Sequence, residues 1–151
     1  MFIIRLWHYK LIPYLPKSQL LAQKRECDLI WKDISNEKKT NHILINYIWE
    51  YNLYKTELLN YYYLLLVEFK KRNYRFNDKS GYNLDVENDK RFLNLAPFHK
   101  HHNTRYLVQC FYNLEEKYDR GQADITKENM LAILQIVKEE IRKDKKKREI
   151  K

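Results

Sequence analysis

The stretch "ELLNYYYLLLVEFKKRN", residues 57–73, is apolar on nearly every side of a helical wheel through its middle. Asn60 and Glu68 are the main interruptions, and Thr56 stands just before it as a candidate N-cap. A helix apolar all round must be enclosed by other elements. The stretch therefore predicts the central helix of a helical bundle. Two glycines and three prolines in 151 residues leave little tight-turn chemistry, which also favours helices over hairpins.

Working outward, residues 18–34 place Leu20, Cys27, Ile30, Trp31 and Ile34 on one face of a 3.6-residue repeat, with Ser18 as N-cap. After the polar "SNEKK", Thr40 is expected to cap a helix over "NHILINYIWEY", with Ile43, Tyr47, Ile48 and Tyr51 on one face. Residues 75–100 read as a long polar loop with one turn. Asn103 or Thr104 then opens a helix carrying Leu107, Phe111, Leu114 and Tyr118, closed by Gly121. Thr126 caps a last helix, with Met130, Leu134, Val137 and Ile141 in register. The expectation is an all-α, compact, single-domain bundle of about four or five helices over residues 1–142. A basic, frayed tail is expected over 143–151.

Net charge is +9, and residues 138–151 hold eight basic and four acidic side chains. Such a balance suits a phosphate-backbone partner, although Lys, Asn, Ile and Tyr are all abundant, as an AT-rich coding sequence would give. No twenty-residue apolar run exists, and Arg5, His8 and Lys10 break the opening "MFIIRLWHYK" before a signal core forms. Neither a membrane span nor a secretory leader is expected. Cys27 and Cys110 fall on core-facing positions and read as reduced packing residues of an intracellular protein.

Candidate chemistry centres on Glu26. It lies at the edge of the first helix's apolar face, between Ala22 and Ile30, where partial desolvation raises a carboxyl's pKa. The same position also suits an ordinary surface glutamate. Arg25 lies 100° further round, near Leu21 and Leu29. His99, His101 and His102 invite a zinc reading, but no second ligand pair stands at a recognised spacing, so no metal site is expected. Gly-rich phosphate loop, nucleophile elbow and paired-cysteine motifs are all missing from the sequence.

The segment "RLWHYKLIPYLPKSQLLAQKREC", residues 5–27, resembles the opening of the pyrimidine-dimer DNA glycosylase/AP-lyase family. That family's first helix carries a Leu-Met/Leu-Ala-x-x-Arg-Glu segment, matched by Leu20, Leu21, Ala22, Arg25 and Glu26. Residues 46–77 resemble its central helix and the Lys-Arg-Gly-Phe/Tyr exit that follows, and "HHNTRYLVQCFYNLEEK", residues 101–117, is a weaker third block.

The resemblance implies a DNA-repair enzyme that cuts the glycosidic bond of a damaged pyrimidine and breaks the strand by β-elimination. The nucleophile would be an N-terminal α-amine forming an imine at C1′, an amine whose pKa of about 7.7–8.0 leaves a usable uncharged fraction. Glu26 would stabilise charge at C1′ and move the elimination proton. Arg25 would hold a phosphate, and Arg5, Lys24 and His8 are taken as further DNA contacts. The implied partner is double-stranded DNA with damaged or abasic sites, bound by a cytoplasmic, nucleoid-associated monomer without cofactor, metal or membrane. The family's amine aligns with position 4 or 5, three residues after Met1, and Phe2 argues against removal of Met1. Either the Met1 amine reaches back, or the working start is at Ile4. Leu29 replaces a family arginine and Gln19 a family histidine. The alternative reading is a catalytically silent helical domain that binds nucleic acid.

Overall fold

The computed structural model describes residues 5–92, 95–121 and 124–150. Among these residues are four α-helices: α1 (Lys17–Ser35), α2 (Tyr54–Lys71), α3 (Thr104–Asp119) and α4 (Lys127–Ile150). Among the described residues there are also three 3-10 segments, Tyr9–Tyr14 before α1, Asn46–Glu50 between α1 and α2, and Lys90–Phe92 between α2 and α3, and no strand. The fold is all-α, as the hydrophobic periodicity implied.

α2 is the central pillar. Tyr61, Tyr62 and Tyr63 follow one another round the helix and all three are buried. Each hydroxyl fastens a different part of the chain. Tyr61 donates to the carbonyl of Trp7 at 2.6 Å, tying down the segment before α1. Tyr62 donates to Asp28 of α1 at 2.7 Å and accepts from the backbone N–H of Lys79 at 3.0 Å. Tyr63 donates to the carbonyl of Asp89 at 3.3 Å in the long loop. Glu68, the polar interruption noted above, pairs with Arg72 one turn on at 2.8 Å. The helix ends where Asn73 adopts a left-handed conformation, φ 59°, which asparagine tolerates better than most residues.

Several sequence expectations need correction. Ser18 is not the N-cap of α1, which starts one residue earlier behind Pro16. The first turn is capped from outside: Asp124 accepts from the Ser18 backbone N–H at 3.2 Å and from its hydroxyl. Thr40 caps no helix either. Its hydroxyl donates to Asp33, and residues 46–50 form only a 3-10 turn, with Ile43 87% exposed. Thr56 lies inside the first turn of α2, which begins at Tyr54. α4 runs on through residues 143–150 of the expected tail, 143–151, since lysine, arginine and glutamate are good helix formers.

The end of the chain agrees better. Asn103 accepts from the Tyr106 N–H at 2.9 Å and caps α3, while Gly121 takes φ 67° just after it. Thr126 accepts from the Asn129 N–H at 3.1 Å and caps α4. α3 and α4 then pack against each other.

Candidate active site

An open pocket of about 260 Å³ lies between α1, α3 and the segment before α1. α1 presents Gln19, Ala22, Gln23 and Glu26 to it, one helical stripe at spacings of three and four. α3 presents Asn113, Glu116 and Lys117, with Arg120 at its end. Arg5 and Trp7 close the remaining side.

Glu26 is half-buried at the border of the apolar face, with Ile30 below it fully buried. Burial pushes its carboxyl up to about 7, against the opposing pull of a backbone hydrogen bond from Arg5 and the charge of Arg25. A carboxyl poised near neutrality can both accept and return a proton. Its setting is therefore not that of an ordinary surface glutamate.

Gln23 holds this arrangement together, and sequence reading passed over it. It is 1% exposed and uses both ends of its amide. The carbonyl accepts from the Trp7 N–H at 2.7 Å and from the Tyr61 hydroxyl at 3.0 Å. The amino group donates to the Arg5 carbonyl at 2.8 Å and to Glu26 at 3.3 Å. A polar residue three before Glu26 on an otherwise apolar face was the available signal.

Among the proposed DNA contacts, the structure separates two pairs. Arg25 is exposed, and Arg5 lines the pocket. The Arg5 guanidinium lies 5.7 Å from the Trp7 ring centre, and its buried Nη1 has no hydrogen-bond partner among the described residues. Lys24 and His8 do not suit the role. Lys24 is 7% exposed, and its ammonium pairs with Asp28 at 2.8 Å and faces the Tyr62 ring. His8 is buried, accepts from the Lys10 N–H at 3.1 Å, and is pushed down to about 4 by desolvation. Neither offers a charge to solvent. Met1 and Ile4, the candidate amine positions, lie outside the described residues.

The three loop histidines face different surroundings. His99 is exposed, and His101 meets Tyr51 at 2.8 Å. His102 is buried between the Tyr9 N–H at 3.2 Å and the Tyr47 hydroxyl at 2.7 Å. No three metal-ligating side chains gather among the described residues. No described helix is long and apolar enough to cross a membrane.

Comparison with known proteins gives one result. The family described as pyrimidine dimer DNA glycosylase matches residues 4–80, which include the whole α1 face of the pocket and all of α2. The α3 wall, from Asn113 to Arg120, lies beyond the matched segment. Neither a curated protein nor a solved structure gives a match.

Proposed function

Because the chain belongs to the pyrimidine dimer DNA glycosylase family, we propose that it excises damaged pyrimidines and then nicks the strand as an AP lyase. The observation that carries this reading is Glu26 at about 7 in a pocket whose rim also holds Arg5 with an unpartnered guanidinium nitrogen. An uncharged α-amine attacks C1′ and the base leaves with the glycosidic electrons; the new ammonium gives up a proton, the C1′–O4′ bond opens with O4′ taking a proton, and a protonated imine forms at C1′. Glu26 first offsets the positive charge growing at C1′. As a carboxylate it then takes a proton from C2′, and the 3′-phosphate is expelled.

The backbone supports an amine close to Arg5. A hydrogen bond from the Arg5 backbone reaches Glu26, and Gln23 grips the Arg5 carbonyl. In a chain begun one residue before Arg5, the amine would be borne on a Cα about 3.8 Å from that of Arg5. Arg5 and Arg25 would take phosphates on the lesion strand, and a partly unpaired duplex would expose C1′. The protein would act in the compartment that holds the DNA, as a monomer.

Borohydride trapping on an abasic duplex tests the reading. A chain begun with Met at position 4 should trap at least about ten times faster than the full chain, a barrier difference of about 1.4 kcal/mol. Equal trapping by both would move suspicion to a side-chain amine. No trapping by either, with DNA still bound, would leave a silent binding domain.

A further inference from the structure

α3 has an exposed ridge made of Arg105, Gln109, Tyr112, Glu116 and Arg120, spaced three and four residues apart. Glu116 and Arg120 at its C-terminal end belong to the lesion pocket. At the other end the ridge meets the last turns of α4. There Arg105, Lys145 and Arg148 line a second concavity with Asn103, Thr104, Ile141 and Asp144. None of these three cations pairs with a carboxylate among the described residues, although charges elsewhere on α3 and α4 do: Arg120 with Glu116, and Lys143 with Glu140. Further along α4, Lys146 and Lys147 are also exposed.

We propose that Arg105, Lys145 and Arg148 form a second contact with the backbone of the duplex whose lesion occupies the Glu26 pocket. Unpaired guanidinium and ammonium groups gathered from two helices suit phosphate oxygens, and the chain's surplus of positive charge suits a polyanion. Helix α3 sets the distance. Arg105 and Lys117 are twelve residues apart on one helix, about 18 Å at 1.5 Å per residue. That span equals roughly five base pairs at 3.4 Å each. The patch would therefore act as a clamp on undamaged duplex to one side of the lesion. Holding the flank fixes the register of the distorted step without reading sequence. This inference rests on DNA being the substrate, and the residues lie outside the segment matched to the family.

Ethylation interference on a 30-base-pair duplex with a central tetrahydrofuran abasic analogue provides the test. The full chain should show two clusters of sensitive phosphates, one at the analogue and one about five base pairs away. The triple variant Arg105→Ala, Lys145→Ala, Arg148→Ala should keep the first cluster and lose the second. Its salt dependence should flatten by about 2–3 units of log K against log salt. Circular dichroism melting checks that the variant is folded, and borohydride trapping on the same duplex reports the lesion chemistry separately. A single cluster, an unchanged pattern or slope in the folded triple variant, or no duplex binding by the full chain overturns the clamp. Loss of trapping in the triple variant, with the first cluster also gone, would show that these residues serve the pocket, and it too overturns the proposal. A full chain that fails to trap but shows both clusters would refute the lyase and leave the clamp standing.

Discussion

The side-chain amide of Gln23 joins the chain segment at Arg5 to the carboxylate of Glu26, donating at 2.8 Å to one and 3.3 Å to the other. In the proposed imine-forming reaction these two groups must stay in register, since a displacement of about 1 Å can cost 100-fold in rate. Under that proposal Gln23 is a positioning residue.

Gln23→Glu should separate positioning from stability. It preserves the acceptor for Trp7 and Tyr61 but replaces the donated bonds with a second carboxylate beside Glu26. Like charge raises the Glu26 pKa further. The pH profile of single-turnover cleavage should move to higher pH, with a lower plateau. Gln23→Ala should instead unfold more readily, by about 2–4 kcal/mol, because the buried Trp7 N–H loses its acceptor and the Arg5 carbonyl loses its donor. An unshifted profile in Gln23→Glu would mean that the Gln23–Glu26 contact has no bearing on the chemistry.

Glu26→Gln should lower strand cleavage by at least about two orders of magnitude while leaving binding to abasic DNA largely intact. Stability should move the other way. Folding raises the Glu26 pKa from 4.5 to about 7, so the folded state holds the proton more tightly. Its favourable contribution is complete below about pH 4.5 and disappears as pH rises through 7. Removing the charge should therefore stabilise the protein at pH 8 by about 1–2 kcal/mol, after allowance for solvent screening of a half-exposed group. Urea titrations at pH 5 and 8 check this. A variant that cuts at the wild-type rate would return Glu26 to the ordinary surface.

What could be read from the sequence was whatever depends on nearby residues. The all-round apolarity of α2 placed it at the centre, and Asn103 and Thr126 cap helices through bonds only three residues long. Ser18 misled because its partner, Asp124, lies 106 residues away. The 41–51 stretch has helical periodicity, yet Trp49 donates to the Thr40 carbonyl at 2.8 Å and helps hold the segment as turns. The half-buried border position of Glu26 was legible from the helical repeat. Gln23 was not, because three of its four partners, Arg5, Trp7 and Tyr61, lie elsewhere in the chain. The α3 wall of the pocket was likewise hidden, since nothing in 113–120 says which face meets α1.

Adjacent residues Arg25 and Lys24 should respond differently to truncation. Arg25 is exposed, and Arg25→Ala should weaken DNA binding by about 1–3 kcal/mol and reduce the salt slope by about one unit. Lys24 is buried and bonded to Asp28, so Lys24→Ala should lower the melting temperature and leave the salt slope unchanged. Fluorescence anisotropy across a salt series distinguishes them. A flatter slope in folded Lys24→Ala would mean that its ammonium reaches phosphate after all.

Acid should unfold the protein through the opposite kind of group. His8 is buried with its pKa lowered from 6.5 to about 4, and His102, 5.4 Å away between ring centres, is lowered as well. Desolvation is the main cause in both, so folding requires the neutral rings. The stability they contribute is complete above about pH 6.5 and is lost as pH falls through the folded values. For His8 this amounts to about 3 kcal/mol by pH 4. Glu26 acts with the opposite sign between pH 7 and 4.5, so the wild-type curve should be shallower than the histidines alone would make it. Glu26→Gln should therefore steepen the acid loss. His8→Asn, which keeps an acceptor for the Lys10 N–H, should flatten it. Unfolding free energies measured by urea at half-unit steps from pH 7 to 4 decide the matter. Parallel curves for wild type, Glu26→Gln and His8→Asn would show that neither group changes its proton affinity on folding.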